Sequence, residues 1–232
     1  MNAEPIVPFD PARVDFIRRT LSVAETGKPE WDPGVVYFYD DGPRGKRQAT
    51  LSIGFTASGN LKKVLQRYIQ RMGAFGTQFT PYFSILPGNL LADNKEFAKL
   101  CREAASDREF KQVQIECFTE IYLEPAFRWA SKNAFALPLS YLVIADSYLH
   151  SGSMLDFLMN SFAEKKPAAG GNEKKWIKDY LDARRKWLAN HSNKILQNTV
   201  YRVDCYLQEI ASGNWELVDS LVMNGTEVAA LV

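Results

Sequence analysis

The chain has 232 residues, 46% of them hydrophobic and 12% aromatic, enough to bury one large core or the cores of two lobes. Its 28 basic and 27 acidic residues leave a net charge of +1, which excludes bulk electrostatic steering toward nucleic acid, an anionic membrane or a polycation. Three cysteines without a CxxC spacing and only two histidines argue against a Cys/His zinc site; the thiols read as buried, with one disulfide the alternative.

The N-terminus, Met1-Asn2-Ala3-Glu4-Pro5, has neither a basic n-region nor an apolar h-region, and the longest apolar-rich stretch, residues 135–145, is too short to span a bilayer. The expectation is a chain without a Sec-type signal or membrane anchor. It would act in the cytosol, leave by a signal-independent route, or be a mature, trimmed secreted form. Asp10-Pro11 reads as the N-cap and first residue of a helix. Val14, Ile17, Leu21 and Ala24 make one apolar stripe that stops at Gly27 and Pro29. Glu25 therefore lies beside the buried face at a helix C-terminus. There the negative end of the macrodipole favours the neutral carboxyl, the form a general acid needs. Residues 35–39 and 49–55 are β-rich runs joined by Asp40-Asp41-Gly42-Pro43-Arg44-Gly45, a strand–loop–strand signal. Two carboxylates such as Glu25 and Asp41 on opposite walls of a cleft suffice to cut a glycosidic bond, one protonating the leaving oxygen and one activating water or attacking carbon.

Asn60 caps the next predicted helix, with Leu61, Val64, Leu65 and Ile69 on one face. Residues 73–92, bearing Gly, Thr and Pro, read as a connecting lobe. Helices are expected over 94–105, from about 107 to 131 with an interruption at Pro125, and over 137–149, 153–164, 172–190 and 193–211. Lys165-Lys166-Pro167-Ala168-Ala169-Gly170-Gly171 is the only loose segment. His150, after an apolar stretch, reads as a packing residue, and Ser151-Gly152-Ser153 as a helix break without a nucleophile elbow. Trp31 and Tyr39 suit either sugar stacking or core packing. Arg184 and Asp182 fit an exposed helix-surface pair as well as a functional one.

These blocks resemble the family 46 glycoside hydrolases, the chitosanases. The resemblance rests on Ala24-Glu25 with Trp31 six residues later, Asp41-Gly42-x-Arg44-Gly45, and Ile53-Gly54-Phe55-x-x-x-Gly59-Asn60. Leu123-Glu124-Pro125-Ala126 is similar to the family's mid-helix kink. Lys166-Pro167-Ala168-Ala169-Gly170-Gly171-Asn172-Glu173, Tyr180-Leu181-Asp182-Ala183-Arg184 and Arg202-Val203-Asp204 complete it, in the family's order over residues 15–215. It implies a mainly α (α+β), lysozyme-like, two-lobed helical fold with a small β-hairpin or sheet and a central substrate cleft, as one domain over 1–232. It further implies an endo-acting, inverting β-1,4-glycoside hydrolase of amino-sugar polysaccharide, without metal or organic cofactor.

Carried over, Glu25 is the general acid and Asp41 the general base, with Asp40 the alternative because Pro43 is inserted in the base loop. Asp146, Arg184 and Arg202 match an ion network that supports the base, and Arg44, Asn60 and Trp31 fall at substrate-binding positions. Asn60 stands where the family has an acid that grips a glucosamine ammonium, and a second acidic contact has no counterpart near His191. An amide suits an acetamido group or hydroxyl better than an ammonium. Peptidoglycan is therefore kept beside chitosan as substrate. That reading makes the chain a muramidase acting as an antibacterial effector or lysin, with an immunity protein as partner. A non-catalytic cell-wall-binding module is the alternative of a different class.

Overall fold

The computed structural model describes residues 9–230, so the expectation for the first five residues lies outside the described residues. The chain divides into two compact units, one of Met1–Pro29 with Ile121–Val232, the other of Glu30–Glu120. In the first unit, α1 (Pro11–Thr26) opens at Asp10, whose side chain accepts from Arg13 N–H, and closes at Gly27 with φ 75. Only glycine takes that left-handed C-cap without a steric penalty.

The second unit begins with an antiparallel sheet of β1 (Val36–Tyr39), β2 (Gln48–Leu51) and β3 (Phe55–Thr56), in the order β1-β2-β3. Val36 pairs with Leu51 and Tyr39 with Gln48, so residues 40–47 form the loop between β1 and β2. β2 is buried along its whole length. Helices α2 (Leu61–Gln70), α3 (Gly76–Ile85), α4 (Lys95–Ala104) and α5 (Arg108–Phe118) complete this unit. Tyr68, Phe79, Phe97 and Phe110 pack ring against ring among them, which is why α3 forms from a segment containing Gly76 and Pro81. Arg67 and Lys63 of α2 reach across to Glu120, and the Arg67 hydrogen bonds hold that carboxyl down at about 2 despite partial burial.

The chain returns to the first unit through a single π-type turn over Thr119–Leu123, followed by α6 (Glu124–Lys132). Pro125, in the first turn of α6, has no N–H for the preceding turn, and the widened turn takes up the lost bond. α7 (Pro138–Ser151) is mostly apolar and buried on every side along residues 138–147, the mark of a core helix, with the charged Asp146 among the buried residues. Around it pack α1, α6, α9 (Glu173–Ala189) and α11 (Val200–Ser212). α8 (Asp156–Met159) and α10 (Lys194–Gln197) are single turns. β4 (Leu221–Met223) and β5 (Thr226–Val228) form a hairpin closed by Asn224 and Gly225, both at positive φ. All three cysteines are buried and unbonded to one another.

Candidate active site

Glu25 lies in the last turn of α1, and that turn is gripped from several sides. The Tyr201 hydroxyl donates to the Ala24 carbonyl at 2.7 Å, and the Thr226 hydroxyl to the Gly27 carbonyl at 3.1 Å. Carbonyls that a helix end leaves unbonded are thus satisfied by α11 and β5. Arg202 Nη1 donates to Glu25 Oε1 at 2.6 Å, a charge-assisted bond between a guanidinium 3% exposed and a carboxylate 20% exposed. The same guanidinium donates through Nε and Nη2 to Asp146 Oδ1 at 2.9 and 2.6 Å. Arg184 Nη1 donates to Asp146 Oδ2 at 2.6 Å.

Asp146 and Arg184 are fully buried. Burial alone would raise the Asp146 pKa; the Arg202 and Arg184 guanidiniums beside it overcome that and hold the carboxyl well below the usual carboxylate range. Arg202 keeps its charge despite burial because Asp146 and Glu25 flank it. His150, in the last turn of α7, is driven down to about 3, by burial first and then by the Arg202 and Arg184 charges. It is a neutral packing residue. Asp182, by contrast, pairs with Lys178 at 2.7 Å on the surface, so Arg184 and Asp182 do not form a pair.

In the other unit, Asp41 lies in the loop between β1 and β2 and accepts from Gln48 Nε2 at 3.0 Å. Asp40 is engaged differently: it is 64% exposed and faces Arg47 at 3.4 Å, which also holds Asp93 at 2.9 Å. Pro43–Gly45 forms a turn in which Arg44 adopts φ 59, a left-handed conformation uncommon outside glycine. Arg44 is exposed there. Asn60 precedes α2 as its N-cap residue, half-buried, without a side-chain cap hydrogen bond.

One expectation changes. Trp31 is a core residue: it is 4% exposed, its ring meets Phe118 edge-on, and its indole N–H donates to Gln114. A ring so enclosed has no face to offer a sugar. The Asp146, Arg184 and Arg202 cluster, which the resemblance matches to a network supporting the base, binds Glu25 within its own unit. Asp41 has Gln48 as partner, a residue that sequence reasoning passed over. The available signal was a long polar side chain opening a short strand of small and apolar residues, Ala49-Thr50-Leu51.

The fold is mainly helical and lysozyme-like and carries an arginine-held glutamate at a helix end; the family match makes the chain a glycoside hydrolase. The chain belongs to glycosyl hydrolase family 46, whose profile matches residues 20–221. It is 28% identical over 210 residues to a chitosanase of Bacillus subtilis (strain 168), covering 83% of this chain and 74% of that one. The fold is similar to that of a family 46 chitosanase of Gynuella sunshinyii solved with chitotetraose, with a TM-score of 0.82 at 22% identity, covering 97% of this chain and 99% of that chain. It is also similar to native chitosanase of Bacillus subtilis MY002, with a TM-score of 0.80 at 22% identity, covering 96% and 100%.

Proposed function

We propose that this glycoside hydrolase cleaves β-1,4 linkages within chitosan, with inversion, Glu25 acting as general acid and Asp41 as general base. The observation that carries the reading is the arginine-held Glu25 at the capped end of α1, in a family whose named relatives are chitosanases. Arg202 holds Oε1, which leaves Oε2 to carry the proton that passes to the leaving oxygen. Asp41 takes a proton from water as that water attacks the anomeric carbon from the opposite face. Both aspartates are exposed, but Asp41 has a neutral buried partner in Gln48 whereas Asp40 is engaged by the Arg47 cation, which favours Asp41. Such a reaction calls for carboxyl groups roughly 6.5–9.5 Å apart and for no cofactor. Asn60 in place of an acid suits a partly acetylated polymer, because an amide both donates to and accepts from an acetamido group.

The test is incubation with chitosan, chitin oligomers and purified peptidoglycan, with products identified by mass and the first anomer by proton NMR. Glucosamine oligomers released as the α-anomer are expected. A β-anomer released first overturns inversion. Muropeptides as sole product overturn the substrate, and no product from any polymer leaves a binding module.

A further inference from the structure

We infer that Gln48 is a positioning residue for the base, a buried amide that fixes Asp41 and ties it to the segment leading into Asn60; the inference rests on Asp41 being the base. Gln48 opens β2 at 2% exposure, so its side chain cannot turn out to solvent. Nε2 donates to Asp41 Oδ1 at 3.0 Å, and Oε1 accepts from Ser58 N–H at 3.0 Å. These partners settle which end of the amide is which: a backbone N–H can only donate and a carboxylate can only accept.

The backbone closes over the same side chain. Gly42 N–H donates to the Lys46 carbonyl at 2.9 Å, and a Cβ at Gly42 would fall 2.5 Å from that oxygen and 3.4 Å from Gln48 Cδ. The loop can therefore draw in against Gln48 only with glycine next to Asp41. A neutral donor suits a base: it orients Oδ1 and leaves Oδ2 for water, without the bias toward the unprotonated form that a cation adds. Ser58, two residues before Asn60, hangs on the other end of the amide, so one side chain sets both the base and the approach to the proposed sugar contact.

The experiment compares Gln48→Glu, Gln48→Leu and Asp41→Asn with the wild type, measuring kcat and KM on chitosan from pH 4 to 8 alongside Tm. Gln48→Glu keeps an acceptor for Ser58 N–H but sets a second carboxylate against Asp41, and like charges resist joint ionisation. The expected result is an acid limb of kcat moved at least about one pH unit upward, with KM within about threefold. Gln48→Leu should lower kcat about tenfold or more through misplacement of the base. If Gln48→Leu does not fold, the acid limb of Gln48→Glu decides alone; if neither variant folds, Gln48 is a core residue and the positioning role is overturned. An unmoved acid limb in Gln48→Glu, with Asp41→Asn inactive, overturns the role of Gln48 and leaves the base in place. Asp41→Asn retaining more than about a tenth of the wild-type rate removes the base itself, and the inference with it.

Discussion

Glu25 and Arg202 form half of a four-member charge cluster in which two guanidiniums face two carboxylates. Because Arg202 is anchored independently by Asp146, replacing Glu25 with an isosteric amide leaves the rest of the cluster bonded. Glu25→Gln is expected to lower the hydrolysis rate at least about 100-fold, the lower range of what general acid catalysis supplies, with Tm within a few degrees. Retention of more than about a tenth of the rate would remove Glu25 as the acid. Arg184 tests the buried side of the cluster. It touches Asp146 and not Glu25, so its effect on rate passes through the placement of Arg202. Arg184→Ala strips a fully buried carboxylate of one of its two cations, a change that costs about 3–5 kcal/mol. For a chain of this size that corresponds to a drop in Tm of about 6–20 °C. Thermal unfolding that left Tm unchanged would contradict the burial of this pair.

At the scale of elements, α2 offers the sharpest test of substrate. It has no acidic residue in its first turn, so a carboxylate at its N-cap adds the first negative charge at the positive end of the helix macrodipole. Asn60→Asp is expected to stabilise the fold by about 0.3–1 kcal/mol through the helix macrodipole. The same carboxylate gains a charge-assisted bond to an ammonium and loses a donor to an acetamido group. The ratio of rates on chitosan and on an acetylated polymer should therefore rise. A rise in Tm with no change in that ratio would make Asn60 a helix residue only.

Elements with strong local signals were legible in the sequence. The Asp10-Pro11 start and Gly27 stop of α1, the strand–loop–strand around Asp41, and the periodic faces of α2 and α9 carry their own punctuation. Elements settled by tertiary packing were not: α3 forms around Phe79 against the weak propensities of Gly76 and Pro81. Residues 153–164 yield only the single turn of α8, since Phe157 stays exposed while Leu158 is buried and no second turn continues the stripe. The expected helix over 193–211 breaks between α10 and α11 at Asn198 and Thr199. The hairpin of β4 and β5 was readable and missed, for Asn224-Gly225 between two strand-like runs is the strongest short hairpin signal. At the site, Glu25 and the members of the arginine cluster could be named from the resemblance. Which carboxylate Arg202 grips depends on a contact 177 residues apart in sequence, which no local pattern encodes.

For the whole molecule, the cluster around Asp146 sets a pH dependence of stability. His150 falls from 6.5 to about 3 on folding, so the unfolded chain takes up this proton first. Stability from this group is present above pH 6.5 and is lost on acidification toward 3, by up to about 1.4 kcal/mol per pH unit. Asp146 has the same sign at lower pH, being held below its ordinary 3.8, so its contribution is present above that value and disappears as the pH falls through the folded one. Tm is expected to decline steadily from pH 6.5 to 4, and His150→Gln to flatten that decline while leaving the loss at lower pH. Equal slopes in both proteins would dissociate His150 from it. The discontinuous make-up of the first unit also imposes an order of events during synthesis. A ribosome adding about 5–20 residues per second delivers Arg202 on the order of ten to thirty seconds after Glu25. Over that interval the nascent chain carries its proposed acid without the cation that holds it, while the whole of Glu30–Glu120 emerges in one uninterrupted run. Premature termination between Asp41 and Arg202 therefore releases a product that contains both proposed catalytic carboxylates and lacks the cation that holds the acid.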